Sequence, residues 1–149
     1  RHLGRRLVDI YRQETVLHAP HLLARALFDA LAAAAGTRDM MRLLRVSPSL
    51  LAVPIDRAGA GIAALRDRLT ADPTQGRLHP TIRGASIDRI IEDAVSGLGT
   101  YHARTVVARE GDALRIGDLK LLYYYQNRTA HISLRPAVRE AASVAPGLA

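Results

Sequence analysis

Apolar residues recur every three or four positions along most of this chain, the period of helices that turn one face to a core. Leu3, Leu7, Val8 and Tyr11 follow it. A second helix is predicted from about Thr15 to Ala35, with Leu22, Leu23, Ala26, Leu27, Ala30 and Leu31 on one face. Gly36 is placed to end it as a C-terminal glycine does. Thr37 stands where an N-cap would for a short helix through Leu44, and Ser47-Pro48 marks a break. A helix from about Pro54 to Leu69 then buries Ile62, Leu65 and Leu69, although Gly59 and Gly61 lower its intrinsic propensity.

The stretch Asp72-Pro73-Thr74-Gln75-Gly76 reads as a turn or exposed loop, and the region near 71–80 is where a subdivision of the chain is expected. Beyond it Ser86 is placed to cap a helix carrying Ile87, Ile90, Ile91, Ala94, Val95 and Leu98, ending at Gly97 to Gly99. Thr105-Val106-Val107 and Ala113-Leu114-Arg115-Ile116 flank Arg109-Glu110-Gly111-Asp112, the pattern of a β-hairpin around a glycine-containing turn. Asp118 can cap a last helix from Leu119 through the Tyr123-Tyr124-Tyr125 run towards His131. The tail over 137–149 is expected to fray, with Pro146 and Gly147 ending any helix. The predicted fold class is mainly α with one small β-hairpin: a helical bundle with a winged-helix-like C-terminal part. Residues 1–149 are expected to form a single compact helical domain.

Composition narrows the function classes. Of 149 residues 48% are hydrophobic, which argues against disorder. The longest apolar stretch, Ala30 to Ala35, lies between Arg25, Asp29 and Arg38 and falls far short of the ~20 residues a membrane span needs. The formal net charge of +7 leaves nucleic acid, anionic lipid or an acidic metabolite as partners of a basic face. Lys120 is the only lysine, so the arginine bias reflects base composition more than a designed phosphate site. With no cysteine there is no disulfide framework, thiolate metal site or cysteine nucleophile. A helical pattern is already running at Arg1, with no initiator Met or signal peptide, so the chain is expected to be a piece of a longer protein.

Six histidines invite a catalytic or metal reading. His18 and His21 are three apart and could share a helix face, with Glu14 four residues before His18. No third ligand completes the constellation, and a capping or solvated pair is the plainer reading. His79, before Pro80, and His102, after Tyr101, are expected to bond to backbone. No nucleophile elbow, phosphate-binding loop or dinucleotide fingerprint occurs. No cofactor and no metal are expected. Tyr124, Asn127 and His131 fall at helical spacing and form a polar seam, which requires hydrogen-bonding partners if buried and otherwise could meet substrate or lipid.

Tyr124-Tyr125-Gln126-Asn127-Arg128-Thr129-Ala130-His131 is similar to the Tyr-Tyr-x-Asn-x-x-x-His segment near the C-terminal end of bacterial glycerol-3-phosphate acyltransferases. Thr15-Val16-Leu17 followed by His21-Leu22-Leu23-Ala24 resembles the stretch that opens a helix after that family's catalytic domain. Tyr101-His102-Ala103-Arg104, the hairpin and Asp118-Leu119-Lys120-Leu121-Leu122 resemble the run into the tyrosine motif, so the resemblance spans about Tyr11 to His131. It implies acyl transfer from a thioester carrier to the sn-1 hydroxyl of glycerol 3-phosphate, in phospholipid biosynthesis. The family's signature is a His and an Asp separated by four residues, the His acting as base and the Asp orienting it. The residues five positions after His2, His18, His21, His79, His102 and His131 are Leu7, Leu23, Ala26, Gly84, Val107 and Pro136. No catalytic residue therefore carries over, and Tyr124, Tyr125, Asn127 and His131 carry over only as motif positions. Gln126 replaces the family's usual basic residue, a role Arg128 could take.

The resemblance implies a non-catalytic accessory domain whose partner is the upstream catalytic acyltransferase domain of the same parent. An anionic membrane surface is a second expected partner, on the cytoplasmic side and peripheral to the inner membrane, met through Arg1, Arg5, Arg6 and Arg12 or through Arg128, Arg135 and Arg139 at ~1 kcal/mol per suitably placed cation. The alternative is a winged-helix-like nucleic-acid-binding module. Asp88, Glu92 and Asp93, offset only by Arg89, would repel phosphate along its reading helix.

Overall fold

The helix with the broadest apolar surface occupies the centre of the molecule. In a computed structural model describing residues 10, 15–100, 102–129 and 132, strand β1 (Val16–Leu17) leads into helix α1 (Ala19–Ala35). Leu22, Leu23, Leu27 and Leu31 of α1 are fully buried, and burial of each such leucine contributes about 1.5–3 kcal/mol. The helix starts at Ala19, four residues later than its periodicity suggests. Val16 and Leu17 pair instead in parallel with strand β3 (Arg77–Leu78). Pro20, lacking an N–H, suits the first turn, and the His21 Nδ1 accepts the His18 N–H at 3.0 Å. Gly36 ends α1 at φ 64°, the left-handed conformation expected of it.

Helix α2 (Met40–Leu43) is short and is capped by Asp39, whose carboxylate accepts the Arg42 N–H. Thr37, the predicted cap, instead accepts the Asp39 N–H. A 3-10 turn at Pro48–Leu51 leads to strand β2 (Ala52–Pro54) and helix α3 (Ile55–Ala71), which buries Ile62, Leu65 and Leu69. Packing explains its two glycines. A Cβ at Gly61 would stand 3.0 Å from the Ala26 Cβ, and one at Gly59 would stand 3.0 Å from Ile87 Cγ2. The lost helix propensity is the cost of bringing α3 against its neighbours.

The predicted loop at 72–76 holds a 3-10 turn, Pro73–Gln75, and is followed by β3 and the short helix α4 (Pro80–Arg83). Helix α5 (Ile87–Thr100) buries Ile90, Ile91, Ala94 and Leu98, and the Ser86 hydroxyl accepts the Arg89 N–H at its start. Strands β4 (Val107–Glu110) and β5 (Ala113–Ile116) form an antiparallel hairpin, and β2 completes a sheet of order β2-β5-β4. The turn is shorter than predicted. Glu110 already pairs with Ala113 around Gly111 at φ 59°, so the first strand is displaced from 105–107 to 107–110.

Asp118 caps helix α6 (Leu119–Gln126), accepting the Lys120 and Leu121 N–H groups. The α-helix ends before His131 because Asn127–Thr129 tightens into a 3-10 turn, where the Thr129 hydroxyl donates to the Gln126 carbonyl at 2.6 Å. Helix α1 packs on α3, α5 and α6, and buried residues of helices and sheet share one hydrophobic cluster. The fold is thus mainly α with a small antiparallel sheet. Among the described residues no helix is long and apolar enough to cross a membrane. The predicted helix around Leu3 to Tyr11 and the fraying tail over 137–149 lie outside the described residues, apart from Ile10.

Candidate functional site

Parallel pairing of β1 with β3 aligns Leu17 with Leu78, so the residue after each, His18 and His79, emerges at the same end of the ladder. Their rings lie 4.7 Å apart, and the His21 ring lies 5.9 Å from His18. A cleft of about 370 Å³ opens beside them, lined also by Pro20, Thr81, Ile82, Ile90, Asp93 and Tyr125. Its walls come from the start of α1, the β3–α4 junction, α5 and α6.

Each ring is held differently. The His21 Nδ1 is occupied by the His18 backbone N–H, and the His79 Nδ1 accepts the Thr81 N–H at 3.4 Å and lies 2.8 Å from the Thr81 hydroxyl. In their neutral forms both rings therefore carry the proton on Nε2. Burial holds the His21 pKa down at about 4, with repulsion from His18 and Arg128 adding to the effect. Burial also lowers His18, helped by His79. Among the described residues no three His, Asp or Glu side chains are grouped to hold a metal ion.

The tyrosine segment borders this cleft. The Tyr125 hydroxyl is 2.9 Å from His102 Nε2, and its ring is 6.1 Å from that of His21. His102 thus bonds to a side chain and not to the backbone expected of it. Tyr123 packs on Phe28 with ring centroids 5.6 Å apart, whereas Tyr124 is 61% exposed. Asn127 and Arg128 are also exposed, and the Asn127 side-chain Oδ1 accepts from the Gln126 side-chain Nε2 at 2.9 Å. The buried polar residues of this segment are Gln126 and Thr129, one and two places from the predicted seam of Tyr124 and Asn127. His131, Arg135 and Arg139 lie outside the described residues, as do Arg1, Arg5, Arg6 and Arg12.

A further polar contact ties this segment to α1. Arg25, 9% exposed, donates to Asp29 at 2.7 Å and to the Thr129 carbonyl at 3.2 Å. Sequence reasoning missed this link and the meeting of His18 with His79. One signal was available for the second: Leu17-His18-Ala19-Pro20 and Leu78-His79-Pro80 share a leucine and histidine ahead of a helix-opening proline. Comparison with protein-family models, curated proteins and solved structures returns no match for this chain.

Proposed function

We propose that this chain is a non-catalytic accessory domain of a glycerol-3-phosphate acyltransferase-like protein of phospholipid biosynthesis. The supporting observation is convergence. Three separated segments carry the resemblance, and residues of all three meet at one place: His21 from the first, His102 from the second and Tyr125 from the tyrosine motif. A chance likeness in Tyr-Tyr-x-Asn alone would place no demand on the distant segments to be neighbours. The domain acts with an upstream catalytic acyltransferase domain, on the cytoplasmic side and peripheral to the inner membrane, with the exposed Arg128 available to anionic lipid.

The test is acyl transfer from acyl-CoA to glycerol 3-phosphate, by this chain and by a form extended upstream to the parent's natural start. Turnover is expected only in the extended form. Turnover by the short chain would overturn the accessory role, and inactivity of both would remove the acyltransferase assignment.

A second reading, a winged-helix-like nucleic-acid-binding module, draws support from the element order: α1, β2, α3 and α5 precede the β4–β5 hairpin, and β5 lies between β2 and β4. Against it, Asp88, Glu92 and Asp93 lie exposed along α5 with only Arg89 to offset them, so a helix laid along a polyanionic duplex would present net negative charge to its phosphates. Salt-dependent retention of a DNA duplex would revive this reading.

A further inference from the structure

We infer that the cleft between the start of α1, the β3–α4 junction and α5 is a binding site for a phosphate group, free or carried as a monoester. The inference rests on the cleft's own geometry and does not require the acyltransferase reading. At about 370 Å³ the cleft is of the size of small-ligand sites. Its rim gathers His18, His21 and His79, and its apolar side is formed by Pro20, Ile82 and Ile90. Since Nδ1 of His21 and of His79 is turned to backbone N–H groups, each neutral ring has an Nε2–H for an acceptor. His18 makes ring contacts with both other histidines and no ring hydrogen bond among the described residues. The positive end of the α1 dipole lies at the same rim.

Electrostatics selects an anion as the occupant. Close imidazoles repel one another when protonated, and Arg128 adds to the repulsion at His21. An oxyanion among them turns that repulsion into attraction and favours proton uptake by His18 and His21. The other groups facing the cleft are Thr81 from α4, Tyr125 from α6 with His102 bonded behind it, and Asp93 from α5. Among the described residues Asp93 is the one acidic residue of the lining. Its charge opposes an anion but is shared with Arg89 at 3.0 Å.

Histidine ring resonances of the chain would be followed by NMR during titration with inorganic phosphate, methyl phosphate, sulfate and chloride. Saturable shifts confined to His18, His21 and His79 are expected with phosphate and sulfate and not with chloride. Sulfate does not titrate in this range, so its binding should tighten about tenfold from about pH 8 to about pH 6 through proton uptake by His18 and His21. Tighter binding of methyl phosphate than of inorganic phosphate assigns the site to a monoester, and the reverse assigns it to the free ion. His79→Gln should weaken binding about tenfold, and the exposed Asp93→Asn, which leaves the core untouched, should strengthen it. Absence of saturable shifts at about pH 6, equal shifts with chloride, or weaker binding by Asp93→Asn would overturn the proposal. Saturation by zinc in place of phosphate would do so as well.

Discussion

Two polar clusters sit one helical turn apart on α1, and they are built on opposite plans. At Arg25 the guanidinium is nearly buried, and it is paired with Asp29 and with the Thr129 carbonyl, while Arg38 reaches the other Asp29 oxygen at 2.9 Å. Its charge is permanent and its donors have fixed acceptors, so it joins α1 to the end of the tyrosine segment. At His21 the groups titrate, and a cleft takes up the space that acceptors fill around Arg25. Both clusters touch the same segment, one through Thr129 and the other through Tyr125. The contrast separates a structural tie from a site with bonding capacity left for a ligand.

The largest expected effect breaks the tie. Arg25→Ala leaves Asp29 and the Thr129 carbonyl without this donor, and should lower stability by about 2–4 kcal/mol, read from urea unfolding. A loss below about 0.5 kcal/mol would show that the contact contributes nothing to the packing of α6.

A pH dependence sharpens the contrast from the other side. His21 titrates at about 4 in the folded chain against 6.5 when unperturbed. Between these values the unfolded chain binds more protons than the folded one, so stability is retained above about pH 6.5 and falls as pH drops towards 4. His18 shifts in the same direction. Unfolding midpoints at about pH 7 and about pH 5 should therefore differ less in His21→Gln than in the parent, and by the parent's amount in Arg25→Ala. An unchanged difference in His21→Gln would place the titration elsewhere.

The smallest effects lie in the tyrosine run. Tyr125→Phe loses the His102 bond and should cost about 1 kcal/mol, with a shifted His102 ring resonance. Tyr124→Ala, at an exposed position, should cost under about 0.5 kcal/mol. Reversal of that order would mean that the hydroxyl network at Tyr125 is not what holds α6 at the cleft.

Much of the helical framework was legible along the chain. The caps at Ser86 and Asp118, the terminator Gly36 and the buried faces of α1, α3 and α5 follow from residues within one or two turns of each other, where periodicity and capping rules operate. The cap at Asp39 in place of Thr37 and the shifted hairpin strand were local misses, whereas elsewhere a distant segment decided what local rules left open. Val16 and Leu17 continue a helical pattern, yet β3 offers them a ladder. Gly59 and Gly61 weaken a helix locally, yet Ile87 and Ala26 require the space.

By itself the sequence determined a mainly helical fold with a hairpin, and it excluded cysteine chemistry and a His-x4-Asp centre, because these depend on composition and local spacing. Only the tertiary structure decided that His18 meets His79, that Tyr125 and not Tyr124 faces His102 and His21, and that Arg25 reaches Thr129. Such contacts depend on which far-apart segments pair and in what register. A shift of one residue in β1 against β3 would leave every local pattern intact and separate the two histidines.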